Sequence, residues 1–344
     1  MIQVDGYGAI NAQAPIAPIS FERREIGPKD ILIDIMYCGV CHSDIHMARS
    51  EWGPSVYPIV PGHEIVGKIT QVGSAVSQFK VGEIAGVGVF VDSCRECPSC
   101  KKGQEQYCDE GFTPTYNGYY RDGKTPTFGG YSNQYVVDED YALHIPFTSE
   151  LERVAPLLCA GITTYSPLRY AGVGPGHKVA VLGLGGLGHM AVKFAASFGA
   201  EVTMLSTSPS KEADAKRLGA HHFALSTDKD QMKALRGQFD FILNTVAAKY
   251  DLNKFLDLLT VEGKMLLVGI PPEDNELGSA KLISRRRSII GSNIGGIAET
   301  QEMLDYCAEH NILSDVEEIQ MSEINEAYTR ILKSDVKYRF VIKM

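Results

Sequence analysis

Four cysteines stand within fifteen positions of the chain, at Cys94, Cys97, Cys100 and Cys108. Four thiolates can close a tetrahedron around zinc and leave no open coordination position, so this quartet predicts a structural rather than a catalytic zinc. An iron–sulfur cluster also takes four cysteines, but the bacterial ferredoxin run has only three residues before its last cysteine and a proline after it. A disulfide pair is the other alternative, and a reducing compartment disfavours it.

A second set of metal-ligating residue types is dispersed along the chain. Cys38 and Cys41 stand in CGVCHSDIH, His63 and Glu64 in YPIVPGHEIVG, and Cys159 in PLLCAGITTY. One thiolate of the first pair with His63 and Cys159 would form a Cys2His site with an open fourth position, which is a catalytic zinc type. Spacing alone does not choose between Cys38 and Cys41, and a thioredoxin-like redox pair is a further alternative, although no βαβ pattern surrounds it.

A glycine-rich turn follows an apolar strand in VAVLGLGGLGHMAVKFA, with Gly183, Gly185 and Gly188 as G-x-G-x-x-G. The amphipathic helix that it opens distinguishes a dinucleotide-binding turn from a glycine-rich turn without a ligand. The first glycine permits the tight turn, the second lets the backbone approach a pyrophosphate, and the third lets the helix pack on the strand. The phosphates would lie at the helix N-terminus.

The end of the next strand indicates which dinucleotide binds. In an NAD site that strand usually ends in Asp or Glu, which binds the ribose 2'-hydroxyl. Here EVTMLSTSPSK ends in Ser206, Thr207 and Ser208, with Lys211 close behind. Hydroxyls and a lysine could bind a 2'-phosphate, so the sequence predicts NADP(H) rather than NAD(H). The alternative is that these residues only cap the following helix.

The composition is that of a globular protein with room for two domains: 344 residues, 44% hydrophobic and 22% charged. A net charge of -9 argues against a nucleic-acid partner, because phosphate contacts need a basic face. The N-terminus lacks a charged region followed by an apolar run, and no stretch reaches a membrane span of roughly 18 apolar residues. These features predict a cytoplasmic protein without a membrane partner.

The elements that must position these residues change in type along the chain. Residues 1 to about 150 consist of short apolar runs punctuated by Gly, Pro and Asp, which predicts strands. Helical periodicity follows over 150–172, and strand and helix patterns then alternate to about residue 291, which predicts βαβ units and a parallel sheet. A helix over 298–311 and a strand-rich tail over 338–344 are predicted to end the chain.

The chain resembles the zinc-dependent medium-chain alcohol dehydrogenases over nearly its whole length, and among them the cinnamyl-alcohol-dehydrogenase-like, NADPH-dependent aldehyde reductases. The resemblance rests on the motifs quoted above together with CRECPSCKKGQEQYC, GGYSNQYVV and STSPSK. It implies an α/β fold with a GroES-like, β-rich catalytic domain at 1–152 and 295–344 and a doubly wound Rossmann domain at 153–294. It also implies two zinc ions, NADP(H), a small aldehyde or alcohol substrate, and a homodimer formed near RSIIGSNIGG.

The resemblance also assigns roles to individual residues. It selects Cys41, with His63 and Cys159, as ligands of the catalytic zinc, and leaves Cys38 and Cys307 as ordinary buried thiols. Glu64 is the carboxylate beside this metal, and Asp44 orients His63, as metal-bound imidazoles generally require. Ser43 and His46 match a proton relay, although His46 could also be an ordinary surface histidine. The implied cofactor contacts are His42, Thr163, Gly183, Leu184, Gly185, Gly186, Leu187, Gly188, His189, Ser206, Thr207, Ser208, Lys211, Thr245, Val268, Gly269, Ser292, Asn293 and Ile294.

The expected reaction is hydride transfer between NADPH and an aldehyde, with a zinc ion polarising the carbonyl. One rival is a zinc-stabilised protein on the same fold that has lost catalysis. Another is a zinc-free, quinone-oxidoreductase-like enzyme, against which the quartet and the dispersed ligand set both argue. The substrate pocket matches no pattern, and neither Trp52 nor the tyrosine-rich segment 110–128 receives a role.

Overall fold

Short strands dominate the N-terminal part of the chain, as the punctuated apolar runs predict. The computed structural model describes residues 1–344. The strands are β1 (Ile2–Gly8), β2 (Ala17–Arg23), β3 (Asp30–Val40), β4 (Ile65–Val72), β5 (Ile84–Val87), β6 (Phe90–Asp92), β7 (Thr113–Pro114), β8 (Gly118–Tyr119), β9 (Pro126–Thr127), β10 (Gln134–Asp138) and β11 (Leu143–His144). The helices are α1 (His42–Ala48), α2 (Leu151–Val154) and α3 (Ala160–Ala171), with 3-10 turns at Cys100–Lys102, Glu105–Tyr107, Glu139–Tyr141 and Ala155–Leu158.

The middle of the chain alternates strand and helix. Its strands are β12 (Lys178–Leu182), β13 (Glu201–Ser206), β14 (His222–Leu225), β15 (Phe239–Asn244), β16 (Leu259–Leu267) and β17 (Ser288–Gly291). Its helices are α4 (Gly186–Ser197), α5 (Glu212–Arg217), α6 (Lys229–Ala234), α7 (Leu252–Leu256) and α8 (Ser279–Ile283), with a 3-10 turn at Pro209–Lys211. The parallel strands run in the order β14-β13-β12-β15-β16-β17, the doubly wound order of dinucleotide-binding folds.

The C-terminal segment returns to the first sheet. It contains α9 (Ile297–His310), β18 (Val316–Gln320), a 3-10 turn at Met321–Glu323, α10 (Ile324–Leu332) and β19 (Arg339–Lys343). β19 pairs antiparallel with β3, giving a seven-stranded sheet in the order β11-β5-β4-β3-β19-β18 with β10 also paired to β3. β3 therefore lies at the centre of this sheet, and its ends position the residues that follow it.

The chain divides into two units, residues 1–162 with 295–344 and residues 163–294. The predicted first boundary lies earlier, at 152. The additional residues pack with the first unit because α2 and the 3-10 turn at Ala155–Leu158 contact β3 and β4. The helical pattern over 150–172 is also interrupted at Cys159 (φ -130°, ψ -68°), just after a turn that contains Pro156. None of the helices combines the length and the hydropathy needed to span a bilayer.

Candidate zinc and dinucleotide sites

The end of β3 presents the first metal-ligating residue. The strand stops at Val40, Cys41 has extended backbone dihedrals (φ -113°, ψ 155°), and α1 begins at the next residue. The carboxylate of Asp44, in the first turn of α1, accepts a hydrogen bond from the backbone N–H of Cys41 at 2.8 Å. This cap fixes the backbone of Cys41 and places a buried carboxylate beside it.

Four side chains from three separate segments converge near Cys41. The ligand atoms of Cys41, His63, Glu64 and Cys159 all lie within 4.8 Å of one another. The two sulfur atoms are 3.9 Å apart, close to the separation of about 3.8 Å that tetrahedral zinc–thiolate bonds would give. Cys38 lies outside the group, since its buried thiol donates to the carbonyl of Gly39 instead. The donor set fits a Cys2His zinc with a carboxylate at hand.

The electrostatics of the group suit a cation. Burial alone would lower the pKa of His63, but the adjacent Asp44 carboxylate, which accepts from Nδ1 at 3.1 Å, raises it to about 10. The hydrogen bond from Cys159 lowers the pKa of Cys41 well below its ordinary value. Both shifts favour the charged forms of these side chains, and zinc binding would require His63 to lose its second proton.

Glu64 is held beside the group by an ion pair within the protein. Its Oε1 pairs with the guanidinium of Arg339 at the start of β19 and lies 3.9 Å from Nε2 of His63. Its Oε2 is buried without a hydrogen-bond partner. A buried carboxylate oxygen of this kind is costly unless a ligand completes it, which also fits a metal ion in this group.

The predicted relay residues lie at one edge of the group without a hydrogen bond between them. Ser43 Oγ is 3.5 Å from Nε2 of His63. The Nδ1 of His46 donates to the carboxylate of Glu51 at 2.6 Å, and its ring stacks on that of Trp52 at 4.7 Å. His46 is therefore a partnered, half-buried side chain.

The cysteine quartet forms a second, separate group. The sulfur atoms of Cys94, Cys97, Cys100 and Cys108 lie within 4.8 Å of one another, and no cysteine of the chain forms a disulfide. Backbone N–H groups of the loop donate hydrogen bonds to the sulfurs. These hydrogen bonds, of which that from Asp109 has the largest effect, lower the pKa of Cys97 to about 6. The set fits a four-coordinate zinc because every position would be filled by thiolate.

The quartet's loop is attached to the start of α9. The carboxylate of Glu105 accepts from the backbone N–H of Ile297 at 3.1 Å. A Cβ on Gly296 would lie 1.9 Å from the carbonyl oxygen of Gly103, so the two backbones are in direct contact there. The loop of the quartet is thus fastened to the start of α9 within the first unit.

The glycine-rich turn lies between β12 and α4 in the second unit. Gly183 has φ +92°, which a side chain disfavours, and a Cβ on Gly188 would lie 1.9 Å from the carbonyl oxygen of Gly183. A Cβ on Gly185 would meet nothing within 4 Å, so the backbone there faces open space. These are the three different glycine requirements of a pyrophosphate-binding turn.

The predicted 2'-phosphate residues surround the end of β13. The Ser208 hydroxyl lies 2.8 Å from that of Ser210, and its N–H donates to Ser206 Oγ at 3.2 Å. The Nζ of Lys211 donates to the carbonyl of Leu184 in the glycine-rich turn at 2.6 Å, and partial burial lowers the pKa of the amine. The ammonium group of Lys211 is thus held between the end of β13 and the glycine-rich turn.

Two families match the chain: "Alcohol dehydrogenase GroES-like domain" over residues 27–147 and "Zinc-binding dehydrogenase" over residues 186–309. NADP-dependent alcohol dehydrogenase C 1 of Mycolicibacterium smegmatis is 54% identical, covering 99% of this chain and 98% of that protein. Aldehyde reductase YahK of Escherichia coli is 53% identical with the same coverage. The chain belongs to the zinc-dependent medium-chain alcohol dehydrogenases.

A solved structure is similar to this dehydrogenase over its whole length. CAD from Helicobacter pylori, described as complexed with NADP(H), superimposes with a TM-score of 0.94 at 45% identity, covering 100% of this chain and 98% of that one. The predicted family and the predicted fold of a GroES-like and a Rossmann domain are confirmed by these matches.

Sequence reasoning missed two buried residues of the dehydrogenase's zinc region. Arg339 pairs with Glu64, and the hydroxyl of Tyr131 donates to Asp44 at 3.3 Å. The sequence signal for Arg339 was its positive charge inside the apolar run YRFVIKM, because a charged residue in a buried strand needs a partner. No local pattern pointed to Tyr131.

Proposed function

We propose that this dehydrogenase is an NADPH-dependent reductase of aldehydes that gives primary alcohols. The Cys41–His63–Cys159 set carries the proposal, because three protein ligands leave a fourth position for a substrate oxygen. Relatives more than half identical to this chain are named NADP-dependent alcohol dehydrogenase and aldehyde reductase, and both names support the reaction. The direction towards alcohol follows from the reduced state in which cells usually keep NADP(H).

The metal-binding residues prepare the carbonyl for reduction. Cys41, His63 and Cys159 would hold zinc, which as a Lewis acid polarises the carbonyl oxygen and stabilises the negative charge that grows there. Asp44 fixes the His63 tautomer, because Nδ1–H donates to its carboxylate and Nε2 remains directed at the ligand group. The four-thiolate quartet would hold a structural zinc, because it leaves no coordination position open.

Ser43 and His46 would deliver the proton that the product oxygen needs. Ser43 Oγ lies beside the ligand group, close enough to approach an oxygen bound there. His46 suits the outer end of the path because an imidazole exchanges protons near neutral pH, and Glu51 holds its Nδ1. Together they would form part of a path from the ligand group to solvent.

The second unit would bind the nicotinamide cofactor, which supplies the hydride. The open backbone at Gly185 and the N-terminus of α4 would take the pyrophosphate, and Lys211 with the Ser206–Ser208 hydroxyls would take the 2'-phosphate. The buried Thr163 Oγ1 has no hydrogen-bond partner within the protein, as expected of a group that binds a ligand.

We also propose a cytoplasmic homodimer paired through β17. β17 is an edge strand of the six-stranded sheet, and its backbone can accept another strand. Eight cysteines without a disulfide suit a reducing compartment.

The deciding experiment is oxidation of NADPH in the presence of benzaldehyde or cinnamaldehyde, followed before and after a zinc chelator. We expect turnover with NADPH, slower turnover with NADH, loss of activity in the chelator and recovery when zinc is returned. Absence of turnover with any aldehyde, in protein that carries two zinc ions per chain, would instead support a non-catalytic protein on this fold.

Replacing Lys211 with alanine should weaken NADPH binding roughly 10- to 100-fold, because a hydrogen bond to a charged group contributes about 1.5–3 kcal/mol. The dissociation constants for NADPH and NADH should be measured by titration of both. Lys216→Ala is the control, since that lysine pairs only with Glu212 on the surface of α5. Equal weakening of both cofactors would show that Lys211 acts on the turn through Leu184 and not on the 2'-phosphate.

A further inference from the structure

Four hydrogen bonds converge on the carboxylate of Asp44, which has no exposed surface. Its Oδ1 accepts from Nδ1 of His63 and from the backbone N–H of Gly62, both at 3.1 Å. Its Oδ2 accepts from the backbone N–H of Cys41 at 2.8 Å and from the phenol of Tyr131 at 3.3 Å. Two of the four donors belong to the proposed zinc ligands, so the position of this carboxylate sets the position of both.

Tyr131 stands in a segment that is hydrogen-bonded to the chain just before His63. It is fully buried, and the backbone N–H groups of residues 129–131 donate to the carbonyls of residues 60–62 at 2.7–2.9 Å. The buried guanidinium of Arg23 donates to the carbonyls of residues 128 and 129 at 2.7 and 2.8 Å. The phenol is therefore presented by a segment fastened directly to the chain that precedes His63.

We propose that Tyr131 is a positioning residue of the catalytic zinc site. Its hydroxyl fixes Asp44, and Asp44 in turn holds the imidazole of His63 and the backbone of Cys41. Burial and the nearby Asp44 charge raise the pKa of Tyr131 well above its ordinary value, so the phenol remains a donor. This role rests on the proposed zinc-dependent function. It also explains the first of the two tyrosines in GGYSNQYVV.

The test is the zinc affinity of Tyr131→Phe, measured by competition with a chelator, with the visible spectrum of the cobalt-substituted protein as a second readout. We expect the catalytic zinc to bind on the order of 10-fold more weakly and the cobalt spectrum to change, while the quartet zinc keeps its affinity. Tyr135→Phe is the matched control, because that phenol is equally buried but donates to the carbonyl of Thr115 at 2.9 Å. Its two zinc affinities should equal those of the wild type.

A double-mutant cycle with Asp44→Ala, which removes the acceptor, shows whether Tyr131 acts through the carboxylate. If it does, the double variant loses no more zinc affinity than Asp44→Ala alone. Additive losses, an unchanged affinity in Tyr131→Phe, or a parallel fall at both zinc sites would each overturn the proposal. A wild-type protein that binds only one zinc per chain would reject the proposed function itself, and this is a different result from all three.

Discussion

Cys41→Ala is expected to lower kcat/KM for aldehyde reduction by on the order of 10³-fold and to leave one zinc ion per chain. The variant loses a thiolate whose sulfur lies 3.9 Å from that of Cys159, so the catalytic metal is released or held by too few ligands. Metal polarisation of a carbonyl contributes several kcal/mol, and each 1.36 kcal/mol is a factor of ten in rate. Zinc content by atomic absorption and steady-state kinetics measure both effects.

Cys38→Ala is the matched control for this result. Cys38 precedes Cys41 by three residues and is fully buried, but its thiol contacts the Gly39 carbonyl and not the ligand group. The variant should keep two zinc ions and most of its turnover. Loss of the catalytic zinc in Cys38→Ala, together with full activity in Cys41→Ala, would reverse the assignment of the ligand.

Cys100→Ala should lower the free energy of unfolding by about 4 kcal/mol when free zinc exceeds its dissociation constant about 1,000-fold, because a ligand bound only to the folded state stabilises it to that extent. The molecules that remain folded should retain their catalytic zinc and most of their turnover, since the two groups of ligands share no residue. Urea unfolding with zinc analysis of the folded fraction tests this.

Cys307→Ala provides the comparison for the loss of a buried thiol alone. Cys307 lies in α9 and its thiol contacts the sulfur of Met303, away from both ligand groups. Its replacement should cost on the order of 1 kcal/mol and no zinc. If Cys100→Ala keeps its stability and selectively loses turnover, the quartet is not structural.

The sequence predicts well those parts of the molecule whose determinants are local. The quartet spans only fifteen positions, and the glycine-rich turn stands between a strand and a helix that are each recognisable by periodicity. The same alternation predicts the parallel sheet, whereas the doubly wound order was implied by the resemblance. The choice between Cys38 and Cys41 was different, because spacing left it open and only the resemblance selected Cys41.

Two kinds of feature were not predicted, an amphipathic helix and a pair of long-range contacts. Helix α10 lies between α9 and the predicted strand-rich tail at 338–344, and it was not predicted although its amphipathic pattern is a local signal. The partners of Glu64 and Asp44 were also missed, since Arg339 and Tyr131 come from distant segments and meet them only in the folded protein. Interactions of this kind leave no periodic trace in the sequence.

The two ligand groups also differ in when a growing chain could assemble them. Cys94 and Cys108 are 14 residues apart, whereas Cys41 and Cys159 are separated by 118. Closing the longer loop costs about 2 kcal/mol more in chain entropy. During synthesis the whole quartet leaves the ribosome before Cys159 does, so it can bind zinc before the catalytic ligand set is complete. The ion pair of Glu64 with Arg339 can form only after nearly the whole chain has been made.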